Sequence, residues 1–254
     1  MANSKIEWTG ETWNPTTGCT KISSGCKYCY AEIMSRRLQA MGMNKYINGF
    51  DLTIHTDTLK LPYKWKKSRL VFVNSMSDLF HEDLPFEFIQ KVFSVMNDNQ
   101  QHIFQILTKR SDILLKYNSF LNWSPNIWMG VTVENNQYLK RIEDLRCTNS
   151  AIKFLSLEPL LGLIPDMNLA GIDWVIVGGE SGTNPRPIKK EWVTDILAQC
   201  REQNVSFFFK QWGGRNKKQS GRFLNNKIYN EMPVEKYLYL KHQKVYDLFT
   251  AIDK

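Results

Sequence analysis

From residue 70 onward, short runs of apolar residues alternate with longer stretches that are apolar on one side only. This alternation constrains the fold more than any other feature. LVFVNS (70–75) precedes PFEFIQKVFSVMND (85–98), HIFQILTKR (102–110) precedes SDILLKYNSFL (111–121), and IWMGVTVE (127–134) precedes NNQYLKRIEDLRC (135–147). IKFLSLEPLL (152–161) runs into a loop and a short segment, DWVIVGGES (173–181) precedes KKEWVTDILAQCREQ (189–203), and VSFFFKQWG (205–213) closes the series. Strands apolar on both faces, each leading to an amphipathic helix, predict a parallel sheet covered by helices. With a strand before the first cysteines, about seven β/α units follow one another. The predicted class is α/β, a partial or complete parallel (β/α) barrel. An open doubly wound sheet is disfavoured because no Gly-rich phosphate fingerprint follows the first strand.

Residues 1–213 read as this barrel with an N-terminal cysteine loop. Residues 214–254 read as a basic C-terminal extension, rich in polar and turn-forming residues before a short amphipathic helix, packed over one end of the barrel. There is no internal repeat, long linker or low-complexity tract, so a single domain is expected. A chain of 254 residues buries about three quarters of its unfolded surface and needs no covalent staple to hold a core. MANSKIEWTGETW has no apolar leader segment, and no run approaches the roughly 18 apolar residues of a membrane span. A cytoplasmic, reducing location without a membrane partner is therefore expected.

Active sites of β/α barrels lie at the C-terminal ends of the strands, and those ends are rich in polar side chains here. The 70–75 strand ends in Asn74, Ser75, Ser77 and Asp78, followed by His81 and Glu82. The next ends carry Thr108, Lys109 and Arg110, then Thr132 and Glu134, then Ser156 and Glu158. Gly178, Gly179, Glu180 and Ser181 follow, and the last strand ends in Lys210, Gln211 and Trp212. Helix caps also call for Ser, Asp, Asn and Thr, so Ser77 and Asp78 serve equally as caps. Glu158, set between Leu157 and Pro159, needs a partner, either a ligand or a cation such as Lys109 or Arg110. Gly178 and Gly179 leave a strand end without side chains, open to a flat ligand.

TTGCTKISSGCKYCYAE (16–32) holds Cys19, Cys26 and Cys29, three of the chain's five cysteines, in a C-x6-C-x2-C spacing. In a reducing compartment such a cluster points to metal binding or catalysis rather than to a disulfide. A redox C-x-x-C would need a thioredoxin-like context, which is absent. Structural zinc takes four closed ligands, whereas Cys147 and Cys200 fall on predicted helices and His55, His81, His102 and His242 are distant in sequence. The reading left is a [4Fe–4S] cluster held by three thiolates, with one iron open to an external ligand.

A three-cysteine loop after the first strand of a parallel barrel, with Tyr28 just before the last cysteine, resembles the radical S-adenosylmethionine (SAM) superfamily. The x6 gap departs from its usual C-x3-C-x2-C. WNPTTGCTKISSGCKYCYAE, VNSMSDLFHEDLP, LTKR, SLEPLLG, VIVGGESG, FFKQWGG and SGRFLNNKIYNEMP together resemble a three-Cys-motif, radical-SAM-like family of phages and mobile elements. The resemblance implies that Cys19, Cys26 and Cys29 ligate the cluster and that Tyr28 packs near the adenine of SAM. It implies that Ser75, Ser77 and Asp78 face the methionyl amino group. Lys109 with Arg110, or Ser156, would take the carboxylate, and Glu134 or Glu158 the ribose hydroxyls. Gly178 and Gly179, with Glu180 beside them, would lie on the adenine side. An external electron donor is implied, because nothing in the chain resembles a second cluster or a flavin site.

The net charge of +8 suits a polyanionic partner. LPYKWKKSR (61–69) mixes Tyr63 and Trp65 with Lys64, Lys66, Lys67 and Arg69. QWGGRNKKQSGR (211–222) mixes Trp212 with Arg215, Lys217, Lys218 and Arg222. Cations among aromatics suit phosphate contact with base stacking, and a solvated loop with one aromatic tucked into the core has the same pattern. The expected substrate is a nucleic acid or nucleotide. The alternatives are a peptide or partner protein as substrate, and a nucleic-acid-binding protein whose Fe–S or zinc site is structural only.

Overall fold

The computed structural model describes residues 6–242. The chain opens with β1 (Glu11–Trp13) and β2 (Thr16–Thr17), passes through the cysteine loop into α1 (Tyr30–Ala40), and returns to pair β3 (Thr53–Ile54) antiparallel with β2. There follow β4 (Leu70–Val73), α2 (Phe86–Asp98), β5 (Ile103–Thr108), α3 (Ser111–Tyr117), β6 (Ile127–Thr132), α4 (Lys140–Arg146) and β7 (Ile152–Leu157). After a helix-free connection come β8 (Trp174–Gly178), α5 (Lys190–Glu202), β9 (Ser206–Gln211) and the short α6 (Lys217–Ser220). The main sheet runs β1-β4-β5-β6-β7-β8-β9, with every neighbouring pair parallel.

The central strands β6, β7 and β8 bury both faces, which is why they read as continuous apolar runs. On β6, Ile127, Met129 and Val131 pack under the helices with Val92, Phe93, Leu114 and Leu145. Trp128 points the other way, into a second cluster with Phe72, Phe154, Trp174 and Phe208. Gly130 leaves room there for the Phe154 ring, which a Cβ would overlap.

The curvature of the sheet follows from Trp8. Its ring centroid lies 4.8 Å from Phe72 on β4 and 6.2 Å from Trp174 on β8. In a flat sheet those strands stand four spacings apart, about 19 Å. The sheet therefore curls around Trp8 into a half-barrel, the partial form of the predicted barrel, and β1 and β9 remain unpaired with each other. The aromatic cluster fills the N-terminal end of the interior and leaves the opposite end to polar side chains.

The extension is tied to this frame. The amide of Phe209 donates to the Tyr229 carbonyl at 3.0 Å and Phe208 bridges Asn230 antiparallel, so residues 229–231 cover the outer edge of β9. Residues 234–242 are helical and reach the N-terminal end of the strands, where Tyr237 packs 5.7 Å from Trp128 and Lys236 pairs with Asp173. The reading of residues 1–5 as free of a leader, and that of the extension beyond 242, lie outside the described residues. Among the described residues no helix is long and apolar enough to cross a membrane.

Candidate functional site

The backbone turns into the cysteine loop at Gly18. Its φ of +84° and the closeness of the Asp51 carbonyl leave no space for a side chain. Cys19 follows directly, Cys26 ends a 3₁₀ turn (Ser24–Cys26), and Cys29 is the N-cap of α1. All three thiols are unpaired and half-buried. The loop lies across the C-terminal ends of the strands and is fastened there at three points.

Buried Arg110, just past β5, makes the first attachment. It donates through Nη2 to the Thr20 hydroxyl (2.6 Å) and carbonyl (3.3 Å), through Nη1 to Asp78 (3.2 Å) and the Cys19 sulfur (3.4 Å), and through Nε to Glu82. The bond from Arg110 holds the Glu82 carboxyl down at about 2. Burial and the Asp78 charge push the Cys19 thiol up to about 11, against the pull of Arg110. His81, which contacts the Thr20 hydroxyl at 3.1 Å, is held below its ordinary value by burial and by Arg110.

Glu134, past the end of β6 and wholly buried, makes the second. Its Oε1 accepts from the Ser23 hydroxyl at 2.5 Å and lies 3.9 Å from Lys109, while Oε2 accepts from Arg141 at 2.8 Å. Gly25 rests on this carboxylate so closely that a Cβ would overlap it. Burial alone would raise the Cys26 thiol, but Lys109, the Ser23 hydroxyl and backbone hydrogen bonds at Ile22 and Ser23 hold it below its ordinary value.

The third attachment comes from the loop after β8. Arg186 grips Glu180 through its backbone amide and guanidinium and donates through Nη1 to the Ser24 carbonyl at 2.9 Å. The Tyr28 ring sits beside it, 5.6 Å from Arg186 and 5.3 Å from Lys27.

The remaining strand ends form a polar mouth beside the loop. Glu158 pairs with Lys210 at 3.0 Å and accepts from the Ser156 hydroxyl at 3.1 Å. Lys210, not Lys109 or Arg110, is thus its cation. A Cβ on Gly178 would come within 2.8 Å of Glu158, and one on Gly179 would strike the Trp212 carbonyl. Here glycine serves close packing of the chain itself.

The structure brings Cys19, Cys26, Cys29, Tyr28, Lys109, Glu134 and Glu180 to this loop, and Ser156, Glu158 and Gly178 to the adjoining mouth. Ser75, Ser77 and Asp78, expected to face the methionyl amino group, each have protein partners. Ser75 donates to Asn14, Ser77 to the Thr16 carbonyl, and Asp78 accepts from Thr108, Arg110 and the amides of Phe80 and Lys109. Sequence reasoning missed Ser23, Arg141 and Arg186. Arg141 lies on what reads as the polar side of a surface helix, and Arg186 lies in an irregular segment. The one available signal for Arg186 was its place between two prolines in NPRP.

Three free thiols in one loop, Cys19 beside Arg110 and Cys26 on the Lys109 side, suit an anionic iron–sulfur group in kind and number. Among the described residues no three His, Cys, Asp or Glu side chains are gathered where a single metal ion could sit. Cys147 is exposed at the end of α4 and Cys200 buried in α5, both apart from the loop.

One family profile, described as a protein of unknown function (DUF5131), matches residues 3–233. The chain belongs to that family. The DUF5131 match spans the cysteine loop, all seven strands of the half-barrel and the segment that covers the β9 edge. No curated protein and no solved structure matches the chain.

Proposed function

We propose that this DUF5131 protein is a radical SAM enzyme in which Cys19, Cys26 and Cys29 hold a [4Fe–4S] cluster, acting on a nucleic acid or nucleotide. The observation that carries the reading is the fastening of one loop with three free thiols across the C-terminal ends of a parallel half-barrel, by Arg110, Glu134 and Arg186. Cys19, Cys26 and Cys29 would hold the cluster, which would supply one-electron reduction of the SAM sulfonium and thereby hydrogen-abstraction chemistry on the substrate.

The chain's own residues bind, orient and shield. Arg110 and Glu134 fix the loop, and Lys109 places positive charge beside Cys26. Glu158 and Lys210 offer the mouth both a carboxylate and an ammonium for the polar groups of a ligand. The aromatic cluster from Trp8 to Phe208 closes the floor against water.

The basic stretches divide. Trp65 is buried against His102 and lies under Arg69, at the end of the strands opposite the cysteine loop. The 211–222 stretch follows β9 on the loop side. Trp212 is tucked against Phe209 there and Arg215 is exposed; the side chains of Lys217 and Lys218 lie outside the described residues. A polyanion at the mouth would meet Lys27 and Arg215, both exposed. Action on a peptide or partner protein is a second reading, favoured by Tyr30, Ile33 and Met41, which expose apolar surface along and just beyond α1 beside the loop.

The test is anaerobic reconstitution followed by a cleavage assay. About four iron and four sulfide per chain are expected, with 5′-deoxyadenosine formed from SAM and dithionite and its yield raised by DNA, RNA or nucleotides. A colourless protein, or a cluster without 5′-deoxyadenosine, rejects the reading. Stimulation by peptide alone selects the second.

A further inference from the structure

The end of β5 places two consecutive cations, Lys109 and Arg110, against two different cysteines. Arg110 is 3% exposed, and its Nη1 donates to the Cys19 sulfur at 3.4 Å. The Lys109 side chain is 22% exposed and lies on the Cys26 side of the loop, 3.9 Å from the Glu134 carboxylate under Ser23 and Gly25. Arg110 is itself aimed by Asp78, whose two oxygens also hold Thr108 and the Lys109 amide.

A structural role for Arg110 needs only the Thr20, Asp78 and Glu82 bonds. The donor directed at sulfur is left unexplained by loop anchoring. Cluster potentials respond to net charge and to hydrogen bonds on the ligating sulfurs. A fixed cation there favours the reduced state, which carries one more negative charge. Without Arg110, whose Nη1 reaches both, Asp78 would be left beside Cys19 uncompensated.

We infer that Arg110, assisted by Lys109, is a positioning residue that sets the reduction potential of the group held by the cysteines, by donating to the Cys19 sulfur and neutralising Asp78. The inference rests on the proposed cluster. It adds a function for LTKR beyond the binding of a cosubstrate carboxylate.

The test is an EPR-monitored redox titration of the reconstituted protein without SAM, in wild type, K109Q, R110K and R110Q, with iron content and Tm measured for each. Arg110→Gln should lower the ratio of reduced to oxidised cluster at the wild-type midpoint about tenfold, a negative shift of about 59 mV for one electron. Lys109→Gln should shift the same way by less, and Arg110→Lys should retain most of the wild-type value. An R110Q protein with a full cluster and an unchanged or more positive midpoint overturns the inference. Should R110Q fail to fold, K109Q decides, and its unchanged midpoint overturns it equally. A wild-type protein with no reducible cluster removes the proposed function, and this inference with it. That failure is distinguishable because it occurs before any variant is compared.

Discussion

Arg186 donates its Nη1 to the carbonyl oxygen of Ser24 at 2.9 Å, joining the loop after β8 to the cysteine loop across 162 positions of sequence. The same guanidinium neutralises Glu180, whose side chain is almost wholly buried and whose carboxyl it holds below the ordinary range against the opposing effect of burial. One side chain thus closes the mouth between the first and sixth strands of the half-barrel.

Replacing Arg186 with Ala should therefore loosen the loop rather than unfold the domain. A stability loss of about 1–3 kcal/mol is expected from the unpaired Glu180. Alkylation of Cys26 and Cys29 by iodoacetamide should speed up several-fold, read by mass spectrometry of the reduced apoprotein. Unchanged alkylation rates would show that the clamp does not restrain the loop.

Gly25 and Glu134 should be coupled. Gly25→Ala forces a methyl into the buried carboxylate and should cost about 1–3 kcal/mol. Glu134→Ala strands Arg141 and should cost about 3–5 kcal/mol. In the double variant the methyl occupies vacated space, so urea unfolding should give a total below the sum of the two.

Cys200, fully buried in α5, has its thiol pushed by burial up to about 12 from an ordinary 9.0. A folded-state value above the unfolded one means that this contribution is complete below pH 9 and is lost as pH rises toward 12. The loss amounts to as much as about 4 kcal/mol. Melting curves should show Cys200→Ala less stable than wild type at pH 7, with that gap narrowing through the alkaline range.

Nucleic-acid effects should map to one end of the half-barrel. Reversing Lys64, Lys66 and Lys67 together to Glu should leave binding unchanged, because that stretch precedes β4 at the far end. Reversing Lys27 and Arg215 should weaken it for all sequences and lower the salt slope by about one per lost phosphate contact. Filter binding at several salt concentrations separates these cases.

The strands and helices were legible because a parallel sheet buried on both faces leaves continuous apolar runs, as in IWMGVT and WVIVG, and its helices leave a one-sided pattern, as in α2. The polar strand ends were legible for the same reason, since the residue after each run must lie at the C-terminal end. Their partners were not. Glu158 found Lys210 two strands away, and Ser23 found Glu134 across 111 positions. Neither pairing leaves a local pattern.

By itself the sequence determined the α/β class, the placement of three thiols in one loop, and the polar rim facing them. Each is a property of short stretches, set by backbone periodicity and residue type. Only the tertiary structure decided that the sheet stops at a half-barrel, that Ser75, Ser77 and Asp78 find hydrogen-bond partners within the protein, and that Arg110, Glu134 and Arg186 hold the cysteine loop. The physical reason is common to all three. Curvature and buried charge pairing are settled by which distant side chains can share one desolvated space, and that is fixed only when the whole sheet curls around Trp8.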